Sequence, residues 1–255
     1  MQRYFIDLPY TGGSYELAGE VFHHIVRVMR MEPGEEVYLV FPDQMAIIAK
    51  ITEIKPETVV LVEVAKEEQA KELPIFVTIA SGYPKGDKLE WIVQKGTELG
   101  AAAFMGFPAR ASVVKWDAKK LGKKQQRLEK IAQEAAEQSQ RQRTPNIQLL
   151  GQFSELVAAL PEYDRILIAY EESAKAGEMA HLAQVLTEVQ PGERILAVFG
   201  PEGGIMPAEI EALVAAGGIL CGLGPRILRT ETAPLYLLSA ASYQDRKSTR
   251  LNSSH

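Results

Sequence analysis

With 255 residues, 46% of them hydrophobic and 24% charged, the chain is long enough for two modest domains or one large one and has the composition of a globular protein. No apolar run approaches the roughly 20 residues that a membrane span needs. The opening MQRYFIDLPY lacks the basic region and apolar stretch of a signal peptide. Cys221 is the single cysteine, which excludes an internal disulfide and a cysteine-built metal site and points to the reducing cytoplasm. The net charge of −5 hides a contrast, because ten Lys/Arg face only four Asp/Glu between Arg110 and Arg143. That segment suits either a polyanionic partner or a solvated helix face, and composition alone leaves both open.

The first seventy-odd residues read as short β-branched strands, Val37–Phe41, Ala46–Ile51 and Val59–Val64, separated by turn and charged residues. A helix over Glu20–Met31 interrupts them, with Phe22, Ile25, Val26 and Met29 on its apolar side. The polar stretch Lys66–Glu72 ends at Pro74, the expected domain boundary. From Ile75 the pattern becomes alternating strands and helices, the signature of an α/β layer fold. Strands are expected at Ile75–Ala80, Ala102–Phe107, Arg165–Tyr170, Ile195–Phe199 and Ile219–Gly222. Helices are expected near Lys88–Leu99, Ala118–Gln140, Glu178–Val189, Ala208–Ala216 and Thr232–Tyr243. The long one carries Leu128, Ile131, Ala132 and Ala135 on one stripe. Apolar periodicity stops at Tyr243, and the basic, polar Arg246–His255 reads as a non-native tail.

Two glycine-rich turns carry the chemistry. Gly200-Pro201-Glu202-Gly203-Gly204 follows an apolar strand and precedes a helix. Leu223-Gly224-Pro225-Arg226-Ile227-Leu228-Arg229-Thr230-Glu231-Thr232-Ala233 again joins strand to helix. Glycine lets backbone approach a ligand closely, and such turns at carboxyl strand ends are where α/β sheets bind ligands. Neither turn ends in the Gly-Lys-Ser/Thr of a phosphate loop. Ile227 stands where the third glycine of a dinucleotide fingerprint would be. A polyphosphate is therefore poorly supported. S-adenosylmethionine needs instead an apolar adenine slot, which Leu223, Ile227, Leu228 and Ala233 could line. Each turn taken alone could equally be an ordinary tight turn.

Taken together, the two turns closely resemble those of the SPOUT class of knotted methyltransferases, and within it the ribosomal RNA small subunit methyltransferase E family. The resemblance runs from Arg3 to about Tyr243. It includes His23-His24-Ile25-Val26-Arg27-Val28-Met29-Arg30, Lys95-Gly96-Thr97-Glu98-Leu99-Gly100 and Glu134-Ala135-Ala136-Glu137-Gln138-Ser139, with Arg141 and Pro145 downstream. It implies an α/β protein with a PUA-like β-barrel RNA-binding domain over 1–73 and a SPOUT α/β domain over 74–245. The C-terminal segment of the latter would thread a trefoil knot, a rarity among folds. It further implies a homodimer with the cofactor bound in the knot, S-adenosylmethionine as that cofactor, and N3-methyluridine in 16S ribosomal RNA or the small ribosomal subunit as product. By matching motif, the cofactor pocket would be formed by Gly200, Gly204, Leu223, Gly224, Leu228, Thr230 and Ala233, with Tyr170 and Glu171 as a third loop.

The chain departs from the family pattern where Ala111 separates Arg110 from Ser112, and where Leu128 takes a place in which Trp is common. RNA-facing residues follow partly from geometry: His23, Arg27 and Arg30 fall at i, i+4 and i+7 of the first helix, a cationic stripe that could meet phosphates or only solvent. Arg3, Lys85, Lys88, Arg110 and Arg141 are further phosphate candidates. His23 and His24 point apart on a helix and make no metal site, and neither a metal nor a membrane is expected. For catalysis, Arg229 is expected to stabilise charge developing on the uridine ring or, alternatively, to pair with a carboxylate and hold its loop. Glu202 and Glu231 are candidate bases, or order the loops. Two rival readings stay open: a ribose 2′-hydroxyl as acceptor, and a non-catalytic RNA-binding or ribosome-assembly protein.

Overall fold

A computed structural model describes residues 1–170 and 180–252. Met1–Glu72 together with Ala136–Arg143 form one compact unit, and the rest of the described chain forms a second.

The first unit is built on five strands, β1 (Arg3–Phe5), β2 (Ser14–Leu17), β3 (Glu36–Val40), β4 (Ala46–Ile54) and β5 (Val59–Lys66). They lie in the order β1-β3-β4-β5-β2, parallel between β1 and β3 and antiparallel elsewhere. The β4–β5 ladder shifts register between Ile48 and Ala49 and again between Ile51 and Glu53. Such bulges bend the bulged strand and increase its twist, so the sheet curls into a half-barrel. Alternation places Tyr15, Leu17, Val37, Leu39, Ile47, Ala49, Ile51, Val59 and Leu61 in one buried cluster.

The helix expected over Glu20–Met31 differs from its simple form. α1 (Gly19–Phe22) passes directly into a π-helical turn, His23–Val28, closed by an i+5 hydrogen bond from Met29 N–H to the His24 carbonyl. The wider turn breaks the 3.6-residue period, so Ile25 is fully buried while Met29, expected on the apolar side, is exposed. Arg30 lies beyond the helix at φ +54°, a left-handed backbone.

The second unit holds six strands, all parallel: β6 (Phe76–Gly82), β7 (Ala103–Phe107), β8 (Asn146–Leu149), β9 (Arg165–Ala169), β10 (Arg194–Phe199) and β11 (Ile219–Cys221), ordered β11-β9-β10-β6-β7-β8. Being parallel, they end on one common edge, and the turns after β10 and β11 both emerge there. Successive residues of β10 face opposite ways. Ile195 and Ala197 join a cluster with Ile92, Val93, Leu128, Leu186 and Leu238. These come from α2 (Lys88–Glu98), α3 (Ala118–Gln138), α5 (Ala180–Glu188) and α7 (Thr232–Asn252). Leu196 and Val198 join a second cluster with Leu156 of α4 (Phe153–Ala159) and with Ile210 and Leu213 of α6 (Pro207–Ala215). Helices thus cover both faces, which is why the central strands read as continuous apolar runs.

Strands β1, β2 and β8, helix α4 and the 3-10 turn Leu160–Glu162 were not expected from the sequence. Three or four residues give β1, β2 and β8 too little alternation to register. α7 continues to Asn252, past the point where apolar periodicity ends. Helical backbone propagates through polar residues once nucleated.

Candidate active site

The turn after β10 is tight because Gly200 has no side chain. A Cβ there would stand 2.7 Å from the Gly204 carbonyl carbon and 2.9 Å from its Cα. The turn closes with Gly204 N–H donating to the Pro201 carbonyl at 2.9 Å. Gly204 sits at φ +74° and Gly224 at φ +99°, backbone that glycine adopts freely. The Tyr170 N–H donates to the Cys221 carbonyl at 3.2 Å, which sets the end of β9 beside the start of the second turn.

These three chain segments enclose a cavity of about 420 Å³. Its lining contains Tyr170, Gly200, Gly204, Leu223, Gly224, Leu228, Thr230 and Ala233, every expected cofactor residue except Glu171, which lies outside the described residues. Ala169, Phe199, Pro201, Gly203, Ile205 and Arg226 also line it and were not anticipated. Strand ends adjoining glycine turns were the available signal for the first five. The size falls within the roughly 300–1,000 Å³ of small-ligand pockets. Phe199, Ile205, Leu223, Ile227 and Leu228 offer an apolar slot and the glycine turns offer free backbone groups, so the chemistry suits an adenosyl group with no phosphate.

Of the catalytic candidates, only Glu202 lines this cavity; Arg229 and Glu231 stand outside the lining. Lys88 Nζ lies 2.8 Å from Glu202 Oε1 and 3.6 Å from Glu231 Oε2, so one ammonium from the first turn of α2 links both glycine turns. Lys88 is therefore an internal tie rather than the free phosphate contact expected of it. Burial alone would raise the Glu202 carboxyl. The Lys88 ammonium and the Lys85 N–H, which donates to it at 3.2 Å, outweigh burial and hold it below the usual carboxylate range. An ionised, paired carboxylate of lowered pKa is a weak proton acceptor. Glu231 Oε2 is buried without a hydrogen-bond partner among the described residues. Arg229 is exposed, and its carbonyl accepts from the Thr232 and Ala233 N–H groups at the start of α7, at 2.9 and 3.0 Å. Its guanidinium makes no ion pair with a described carboxylate.

Residues 71–242 match the RNA methyltransferase domain family and residues 17–64 the RNA methyltransferase PUA domain. The chain is 48% identical to ribosomal RNA small subunit methyltransferase E of Bacillus subtilis, over 96% of this chain and 97% of that one. The chain belongs to the ribosomal RNA small subunit methyltransferase E family. It is also 31% identical to the Mycobacterium bovis member, over 93% of this chain and 89% of that one. The crystal structure of the Neisseria gonorrhoeae member, bound to S-adenosyl methionine, superposes with a TM-score of 0.81 at 26% identity, over 95% of this chain and 97% of that one.

The cationic residues expected at an RNA surface of this family member divide sharply. Arg3 is only 2% exposed. Its Nη2 pairs with Glu67 Oε1 at 2.7 Å, its Nε donates to Gln140 at 3.2 Å, and its guanidinium lies 4.4 Å over the Tyr38 ring. Arg141, 3% exposed, is ion-paired with Glu72, whose other donors are the Gln142 N–H and Arg143. Neither can meet a phosphate, and both expectations are corrected: long-range carboxylates capture them. His23, Arg27, Arg30, Lys85 and Arg110 are exposed. The i, i+4, i+7 stripe is also corrected, since the π turn alters the spacing of His23 and Arg27 and Arg30 has left the helix. Part of the basic segment is paired as well. Glu90 takes both Arg127, at 2.7 Å through Nε, and Lys124, at 3.4 Å.

Proposed function

We propose that the protein transfers the methyl group of S-adenosylmethionine to N3 of a uridine in 16S ribosomal RNA. The observation that carries this reading is the single cavity formed by both glycine turns and the end of β9, with exposed Arg226 and Arg229 on the second turn. When bound, the cofactor supplies an electrophilic methyl on a sulfonium. Leu223, Ile227, Leu228 and Ala233 would hold the adenine, and the glycine turns would offer backbone groups to its edge. The uridine N3 must lose a proton, and its ring then carries negative charge on the carbonyl oxygens. The guanidinium of Arg229 would stabilise those oxygens by paired hydrogen bonds. Both candidate bases are ion-paired to the Lys88 ammonium, Glu202 at 2.8 Å and Glu231 through Oε2 at 3.6 Å, so either would take the proton only by loosening that tie. Positioning by the two turns supplies the rest.

We further infer a homodimer in the cytoplasm. Residues 1–73 would bind RNA with His23, Arg27 and Arg30, residues 74–245 would hold the cofactor with Lys85 and Arg110 toward RNA, and 246–255 would be a non-native tail. Tyr236, 41% exposed, and Tyr243, 71% exposed, on α7 are apolar surface available to a second copy.

The test is methyl transfer onto small subunits lacking the mark, with mass spectrometry of the nucleosides. 3-Methyluridine is expected. A 2′-O-methyl nucleoside would assign the ribose alternative, and no transfer with intact RNA binding would leave a non-catalytic binder.

A further inference from the structure

A second cavity, of about 760 Å³, lies beyond the other side of the first glycine turn. Its walls come from the carboxyl ends of β6, β7 and β8, the half of the sheet that the cofactor cavity does not use. The two cavities share a partition: a Cβ at Gly203 would stand 2.8 Å from the Ala111 Cβ, and one at Gly82 would stand 2.5 Å from Pro201.

Its chemistry differs from the cofactor cavity. Tyr83 and Trp116 form an aromatic wall with ring centroids 4.4 Å apart. The Tyr83 hydroxyl is committed to the Leu150 carbonyl at 2.7 Å and also lies 3.1 Å from the Gly106 carbonyl, so that ring is fixed as a support for Trp116. Arg110 and Lys115 are exposed at the rim. The Glu209 carboxylate, 3% exposed, is fully used at short range, Oε1 by the Arg110 N–H at 2.9 Å and Oε2 by the Met206 N–H at 3.0 Å. Ser112 is the exception. It is 8% exposed, it lines the cavity, and its buried hydroxyl has no hydrogen-bond partner among the described residues. A buried hydroxyl left unpaired costs free energy that an incoming polar ligand edge would recover. Lys119, Lys120 and Lys123, exposed on the first turns of α3, continue the positive surface outward from Trp116.

An aromatic ring for a base, cations for a phosphate and a lone hydroxyl for a base edge are the parts of a single-stranded nucleotide site. We propose that this cavity holds an unpaired nucleotide of the RNA substrate adjoining the target uridine, stacked on Trp116 with its phosphate toward Arg110 and Lys115. The proposal rests on the methyltransferase reading for the target's identity, and on this cavity's own residues for the binding.

Trp91 and Trp116 are the two tryptophans, so Trp91→Phe leaves Trp116 as sole reporter. Titrating that variant with a short single-stranded oligouridylate is expected to quench Trp116 saturably, and more strongly than a duplex RNA does. In methyl transfer, Trp116→Ala is expected to raise the RNA KM by roughly tenfold or more, the scale of removing one base stack, with cofactor affinity unchanged. Trp116→Phe should restore most of the loss, which a simple folding defect would not show. No quench up to millimolar oligonucleotide, or equal quench by duplex, overturns the proposal even when methyl transfer is normal. A saturable quench in a protein that transfers no methyl group would support the cavity and sink the enzymatic reading instead.

Discussion

Arg3 and Arg229 are both arginines in a nucleic-acid-modifying protein, yet their surroundings give them opposite tasks. Arg3 lies at 2% exposure between Glu67, Gln140 and Tyr38, and its charge is consumed by the unit that contains it. Arg229 projects from a glycine turn with no described carboxylate to hold it. A cation surrounded by acceptors from distant parts of the chain stabilises a fold. A cation lifted clear by a backbone turn is available to a substrate. The difference is set by what else reaches the guanidinium.

The largest effect should come from breaking the buried side of that contrast. Glu67→Ala leaves Arg3 buried beside an unfilled space, and removal of one partner of a buried pair costs about 3–5 kcal/mol. Denaturant unfolding should register this loss, while cofactor binding by whatever protein remains folded stays normal. Glu72 extends the test to pH. Burial alone would raise its carboxyl, but Arg141 and then the Gln142 N–H and Arg143 hold it below the usual range. A carboxyl depressed on folding contributes stability that is complete above its unfolded pKa and disappears as pH falls through its lower folded value. Unfolding midpoints of Glu72→Gln should therefore fall less steeply than those of the unaltered protein on acidification below pH 4–5, with about 4.3 as the unfolded reference.

Next in size is the exposed side. Arg229→Ala should leave stability within about 0.5 kcal/mol, as for surface changes. It should lower kcat by about 10²–10³, the usual loss of one preorganised donor. Arg226→Ala sharpens the comparison, since Arg226 lines the cavity and Arg229 does not. A loss of kcat in Arg226→Ala with Arg229→Ala unaffected would transfer the charge-stabilising role to Arg226. Gly200→Ala, which would push a Cβ to 2.7 Å from the Gly204 backbone, should weaken cofactor binding with little change in RNA affinity, measured by calorimetry and filter binding. Smallest is the double change Arg27→Glu with Arg30→Glu. For each phosphate no longer neutralised, the slope of log K against log salt should flatten by about 0.7 for single-stranded RNA. An unchanged slope would place both residues in solvent only.

These contrasts mark what a sequence can disclose. The cavity between the two glycine turns was legible because glycine turns at parallel strand ends are local, and one sheet edge gathers them without help from distant side chains. Central strands were legible as apolar runs, and the α2 and α3 helices by their period. Arg3 and Arg141 were misread because residues as far away as Gln140 and Glu72 decide their burial. The π turn at His23–Val28 has no compositional signature, so the stripe inferred from ideal spacing did not survive it. The second cavity escaped notice because Tyr83 follows β6 while Ser112 and Trp116 follow β7, and only the fold brings the two loops together.

Lys88 reaches Glu202 on one glycine turn and Glu231 on the other, although the turns follow different strands. A change at any one of the three positions therefore alters the charge setting of the other two. Reversing the charge at position 88 would set three carboxylates against one another and spread the turns, whereas losing one glutamate alone would leave the lysine tethered to the other. Drift through this part of the protein should proceed by paired exchange: an altered residue 88 should be tolerated only in chains where 202 and 231 have changed in step.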